Sequence, residues 1–133
     1  MEYVTDTHPL VWALFAPRRL SQRTLAIFEQ TAQGNHSIYI PTVVIAELIM
    51  VVEKRRVSAT IPQLLAALHA LQTASNYHLL PLIAETVIAT HALLVIPDIF
   101  DRLIVAEAQR LDLALITRDT TIITSGLINV IWE

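Results

Sequence analysis

Tyr3-Val4-Thr5-Asp6-Thr7-His8-Pro9-Leu10-Val11-Trp12-Ala13-Leu14-Phe15 sets the architecture of this chain. An aromatic and β-branched run, suited to a pleated and half-buried surface, stops at an acid. Pro9 then fits the first turn of a helix, which Leu10 to Phe15 continue until Pro17. The same grammar recurs downstream. Ser37-Ile38-Tyr39-Ile40 reads as a second strand, Pro41 and Thr42 punctuate it, and a helix runs from about Val43 to the basic stop Lys54-Arg55-Arg56. Tyr77-His78-Leu79-Leu80 is a third strand, Leu113-Ala114-Leu115-Ile116-Thr117 a fourth with Asp119 just beyond it, and Ile128-Asn129-Val130-Ile131 a short last one. Further helices are expected after the N-cap Ser21, from Thr60 to about Thr73, from about Ile83 to Leu94, and from Pro97-Asp98 to Leu111. Apolar strands alternating with helices predict an α/β fold, a three-layer α/β/α sandwich around a mainly parallel central sheet.

A length of 133 residues suffices for one domain with a real core, and residues 1–133 read as that single domain. The chain is 54% hydrophobic and only 16% charged, more apolar surface than a small domain can bury. The surplus predicts a homodimer and a further partner groove, with anchors in the helices carrying Trp12, Phe15 and Leu64-Leu65-Leu68. No apolar run approaches the roughly 18 residues of a membrane span. No basic and apolar leader opens the chain, and cysteine is absent, so a cytoplasmic protein without disulfides or thiolate metal sites is expected. The net charge of −3 provides no general basic field. A nucleic-acid substrate would have to be attracted by local arginines and a metal ion.

Asp6, Glu47, Asp101 and Asp119 sit where such a chain should least tolerate charge. Glu47 interrupts Val43-Val44-Ile45-Ala46-Glu47-Leu48-Ile49-Met50-Val51-Val52, too deep in its helix to act as a cap. Burying a lone carboxylate is costly, so the group neutralises or finds a cation. Acids drawn from both ends of the chain suggest one shared cation, and hard oxygen ligands suit Mg²⁺ or Mn²⁺. Each acid also has a structural alternative. Asp6 can cap the helix of Pro9, and Asp119 a turn through Thr120 and Thr121. Asp98 and Asp101 can serve the first turn of their helix, and Glu47 can pair with a buried arginine.

Other chemistries find less support. His8, His36, His69, His78 and His91 lack paired ligand spacing, which disfavours zinc. Two glycines are too few for a Gly-rich phosphate loop, and no G-x-S-x-G elbow exists. Arg18-Arg19 and Lys54-Arg55-Arg56 read as solvated helix ends, with phosphate contact as the alternative.

At Asp6-Thr7-His8-Pro9-Leu10-Val11-Trp12-Ala13-Leu14 and at Pro97-Asp98-Ile99-Phe100-Asp101-Arg102-Leu103-Ile104-Val105-Ala106-Glu107-Ala108 the chain resembles PIN-domain ribonucleases, in their VapC-like toxin branch. Leu115-Ile116-Thr117-Arg118-Asp119 looks like that branch's strand-four signature, and Val130-Ile131-Trp132 like its usual ending. The resemblance covers essentially the whole chain, in the right order. It implies a metal-dependent endoribonuclease, the toxin of a toxin–antitoxin pair, with RNA as substrate and an antitoxin protein as partner. The family's acids carry over to Asp6, Glu47, Asp101 and Asp119, and its hydroxyl residue to Thr117. Asp98 matches an extra acid of the branch. The flanks differ: Val95, Ile96 and Pro97 precede Asp98 where a His and Arg are common, and Ile99 follows where Pro is common, which leaves its role open.

Two other readings compete. A phosphoacceptor receiver also clusters acids at strand ends, but needs an acid pair after the first strand and a late lysine; the only lysine is Lys54. A catalytically inactive binding or assembly module of the same fold is the stronger alternative.

Overall fold

A computed structural model describes residues 1–133. Five strands, β1 (Glu2–Thr5), β2 (Ser37–Pro41), β3 (Tyr77–Leu80), β4 (Ala114–Ile116) and β5 (Val130–Ile131), form one sheet in the order β3-β2-β1-β4-β5. Every pairing is parallel, with Tyr3 opposite Ile38 and Val4 opposite Leu115 in register. Parallel neighbours need crossovers, and helices supply them: α1 (Thr7–Phe15), α2 (Gln22–Ala32), α3 (Thr42–Glu53), α4 (Ile61–Thr73), α5 (Ala84–Ala89), α6 (Ile99–Leu111) and α7 (Thr120–Ser125). This is the expected α/β/α sandwich. Val4, Ile38, Ile40, Leu115 and Ile116 are completely buried, as strands covered on both faces must be.

Local signals explain the helix ends. Ser21 caps α2 by accepting from Thr24 N, and Gly34 follows α2 with φ +89°, a left-handed value that glycine adopts without strain. Thr60 and Gln63 form a reciprocal capping box on α4. One expected helix is shorter than its sequence implies. The stretch from Ile83 to Leu94 becomes α5 followed by a 3-10 segment, Thr90–Leu93. Thr86, Val87, Ile88 and Thr90 are β-branched and poor helix formers, and the Thr90 hydroxyl donates to Val87 O at 2.6 Å, tightening the turn.

The sheet grows from β1 to β2 and β3 on one side, then returns to β4 and β5 on the other. The reversal leaves a crevice outside the carboxyl ends of β1 and β4, where open α/β sheets place their functional groups. The Asp6 N–H donates to Ile116 O at 2.9 Å and ties the two strand ends together.

Candidate functional site

Asp6 leaves β1 into that crevice and is buried, with 6% exposure. Its Oδ1 accepts from Thr7 N at 2.7 Å and its Oδ2 from the Thr117 hydroxyl at 2.7 Å. Asp6 therefore caps α1 and also faces the crevice, so the two readings of this residue coexist. Glu47 projects from the middle of α3, half-buried, and its Oε1 accepts from the Thr7 hydroxyl at 2.7 Å. The buried arginine partner considered for Glu47 does not exist: the one salt bridge of the molecule joins Arg110 to Glu107. Thr7 takes its place, holding Asp6 through its N–H and Glu47 through its hydroxyl.

The remaining acids arrive from α6 and from the end of β4. Asp98 is exposed and caps α6, its Oδ1 accepting from Phe100 N at 2.7 Å and Asp101 N at 3.3 Å. Asp101 lies half-buried in the first turn. Thr117 is fully buried; its hydroxyl donates to Asp6 and accepts from Asp119 N at 3.0 Å. Asp119 in turn caps α7 through Ile122 N at 3.1 Å.

The carboxylates feel one another. Burial, then the charges of Asp6, Asp119, Asp98 and Glu47, push the Asp101 carboxyl up to about 7. Burial also raises Asp6, against the opposing hydrogen bonds from Thr117 and Thr7, and Asp119 adds to the rise. Glu47 is raised by burial, with Asp6 and Asp98 contributing. The acids thus influence one another, and none of them is in a salt bridge. No three of them converge tightly enough in this arrangement to enclose an ion. An open set of hard oxygens fits Mg²⁺ or Mn²⁺, since Mg²⁺ keeps several waters and needs only one or two carboxylates.

Beside the acids lies a cleft that the sequence did not reveal. A cavity of about 260 Å³ is bordered by Asp6, Asp119, His8, Trp12, Arg19 and Arg118. The Arg19 guanidinium stands 4.6 Å and that of Arg118 5.4 Å from the centre of the Trp12 ring, both within cation–π range. Trp132 meets the same indole edge-on, with centroids 6.0 Å apart, which fixes this platform from behind. The position of Arg118 between Thr117 and Asp119 was its only sequence signal. Arg18, equally prominent in sequence, makes none of these contacts.

Most of the expected interface anchors are drawn into the core. Trp12 and Leu64 are buried, and Phe15 and Leu68 pack half-buried against the core. Of that group only Leu65 stands exposed. Most of the exposed large apolar side chains lie between Leu82 and Phe100, with Ile88 73%, Leu94 62% and Val95 63% accessible.

A family model described as PIN domain matches residues 3–124. No curated protein sequence matches the chain. Among solved structures, it is similar to VapBC2 from Rickettsia felis, crystallised on a DNA fragment from its promoter, with 21% identity, TM-score 0.74 and 100% of both chains covered. VapBC-1 from nontypeable Haemophilus influenzae gives 18% identity and TM-score 0.68 over 98% of this chain and 97% of that one. VapC20 from Mycobacterium tuberculosis, a toxin that cleaves the sarcin–ricin loop, gives 14% identity and TM-score 0.71 over 98% and 99%.

Proposed function

The chain belongs to the PIN-domain family, and from that premise we propose that it is a metal-dependent endoribonuclease, the toxin of a type II toxin–antitoxin pair. What supports the reading is that Asp6, Glu47, Asp98 and Asp119 lie near enough for their charges to raise the Asp101 carboxyl, at the switch point of the sheet, and that none of these acids is in a salt bridge. Residues 1–133 act as one nuclease domain in the cytoplasm; no helix is long and apolar enough to cross a membrane.

Mg²⁺ or Mn²⁺, held by these acids, would offset the charge of the phosphodiester and lower the pKa of the attacking water. Asp6, Glu47 and Asp101 offer the oxygen donors, and Asp98, occupied as a cap, is an auxiliary acid at the rim. Thr7 and Thr117 hold the carboxylates of Asp6 and Glu47 in fixed rotamers, so little reorganisation is needed when the ion arrives. Asp119 orients the water, held by its own bond to α7. Arg19 and Arg118 grip the RNA backbone beside the acids, pinned by Trp12 so that less freedom is lost on binding. Water is the nucleophile, so the products carry a 5′-phosphate and a 3′-hydroxyl and the RNA 2′-hydroxyl is dispensable.

The apolar face from Leu82 to Phe100 is the homodimer surface, and a cognate antitoxin, as the VapBC names of the structural neighbours suggest, covers a further groove. A catalytically inactive binding module is the second reading, favoured by the absence of a closed ligand cage. End-group analysis separates the two. Single-stranded RNA with a 2′-deoxy nucleotide at the scissile position should still be cut in Mn²⁺, leaving a 5′-phosphate. Products ending in a 2′,3′-cyclic phosphate contradict the mechanism, and no products at all favour the inactive module.

A further inference from the structure

A second cavity, of about 170 Å³, adjoins the first and shares His8, Trp12 and Arg19 with it. Val11, Val51, Val57 and Trp12 line it together with the polar side chains of His8, Arg19 and Arg56. A space of about 150 Å³ accepts a benzene ring. This one is slightly larger, enough to admit one edge of a planar base while the rest of the ring system stays in the cavity mouth.

Beside the imidazole of His8, the polar lining is two guanidinium groups. Guanidinium groups only donate hydrogen bonds. The arginine side chains that find acceptors or an ion-pair partner in the protein are Arg23, Arg102 and Arg110; Arg18, Arg19, Arg55, Arg56 and Arg118 find none, and of these Arg19 and Arg56 line this cavity. Arg56 is also held in place by its backbone. The α3 helix ends with Arg55 in the left-handed region at φ 56°, and the Arg56 N–H donates back to Val51 O at 3.0 Å. That cap normally recruits glycine, yet here an arginine adopts it and sets Arg56 and Val57 over the cavity.

We propose that this cavity is a base-recognition subsite, taking one unpaired guanine of single-stranded RNA while Arg19 and Arg118 hold the neighbouring phosphate at the acids. Guanine presents two adjacent acceptors, O6 and N7, to an arginine fork; adenine and cytosine put an amino donor on the corresponding edge. Arg56 reads that edge, Val51 and Val57 line the inserted part of the base, and the cut falls beside the guanine. The inference rests on the endoribonuclease reading and names the substrate feature that this site selects.

The test uses the full chain, freed of any co-purifying protein and carrying Asp101→Asn so that RNA survives. Labelled uridine octamers with one central G, A or C are titrated by fluorescence anisotropy. The G oligomer should bind about tenfold more tightly than the A or C oligomer. Arg56→Gln, an exposed surface change, should bring the three within about twofold of one another. Val57→Phe, which fills the cavity, should do the same, and its melting temperature reports whether it folds. Equal binding of the three oligomers, or a G preference that survives Arg56→Gln, overturns the subsite. Cleavage by the wild-type chain separates this result from the premise. Cutting without base preference removes the subsite and leaves the nuclease; a G preference in binding with no cutting of any RNA removes the nuclease and leaves a base-binding cleft.

Discussion

Replacing Asp101 by Asn should stabilise the metal-free protein, and the size of the gain follows from the site. The carboxyl titrates near 7 because burial and the surrounding acids disfavour its charge, against about 3.9 in the unfolded chain. The folded state therefore binds the proton more strongly, and stability falls as pH rises from about 4 to about 7, fully expressed above that. A displacement of this size corresponds to ~4 kcal/mol without screening. Asp101 is only half-buried, so solvent reduces the effect to ~1–2 kcal/mol. The lost attraction of a first-turn carboxylate to the dipole of α6 takes back ~0.3–1 kcal/mol. A net gain of ~1 kcal/mol raises the melting temperature of a domain this size by ~3–5 °C. The assay is thermal unfolding in EDTA at pH 8 and again at pH 4.5, for wild type and Asp101→Asn. The variant should melt higher at pH 8, and the advantage should shrink towards zero at pH 4.5, where the wild-type group is protonated. Mn²⁺ should then raise the wild-type melting temperature by mass action and leave the variant nearly unmoved. A variant that melts at or below wild type in EDTA at pH 8, or that keeps the wild-type response to Mn²⁺, refutes the shared site.

The same proton governs metal uptake: with Asp101 near 7, an ion must displace it, so apparent Mn²⁺ affinity by calorimetry should weaken about tenfold from pH 8 to pH 6, with proton release. Thr7→Val should cut the cleavage rate ~10–100-fold by freeing Glu47, the loss of one hydrogen bond to a charged group, while Thr7→Ser retains most activity; equal rates for the two variants would remove Thr7 from the site. Light scattering at micromolar concentration should report a dimer that Ile88→Glu converts to monomer, and a wild-type monomer would discard the Leu82 to Phe100 face as an interface.

Strand positions and acids were legible because each depends on a local pattern. Tyr77–Leu80 is read to the residue, and Asp6 and Asp119 fall just past the strands that present them. The caps at Ser21, Thr60 and Asp98 follow from side chains within three residues of the bonds they accept. What escaped depends on the packing of distant segments. The bond from Thr7 to Glu47 spans 40 positions and forms only once α1 lies against α3. The choice of Arg19 over Arg18 is a matter of helical phase at a short 3-10 turn, Pro17–Arg19. Composition announced an apolar surplus but not its place: Trp12 went inside to carry the arginines, and Ile88, Leu94 and Val95 stayed out.

Single-turnover cleavage of single-stranded RNA by the wild-type chain and by Asp6→Asn, in Mn²⁺ and in EDTA, tests the carboxylate site most directly. Asp6 touches Thr7 and Thr117, and the isosteric amide keeps those contacts within reach while removing one ligand charge. We expect cutting by wild type in Mn²⁺, none in EDTA, and loss of most of the rate in Asp6→Asn despite an intact fold. A metal-replete, partner-free preparation that cuts no RNA, or an Asp6→Asn variant as fast as wild type, would contradict it.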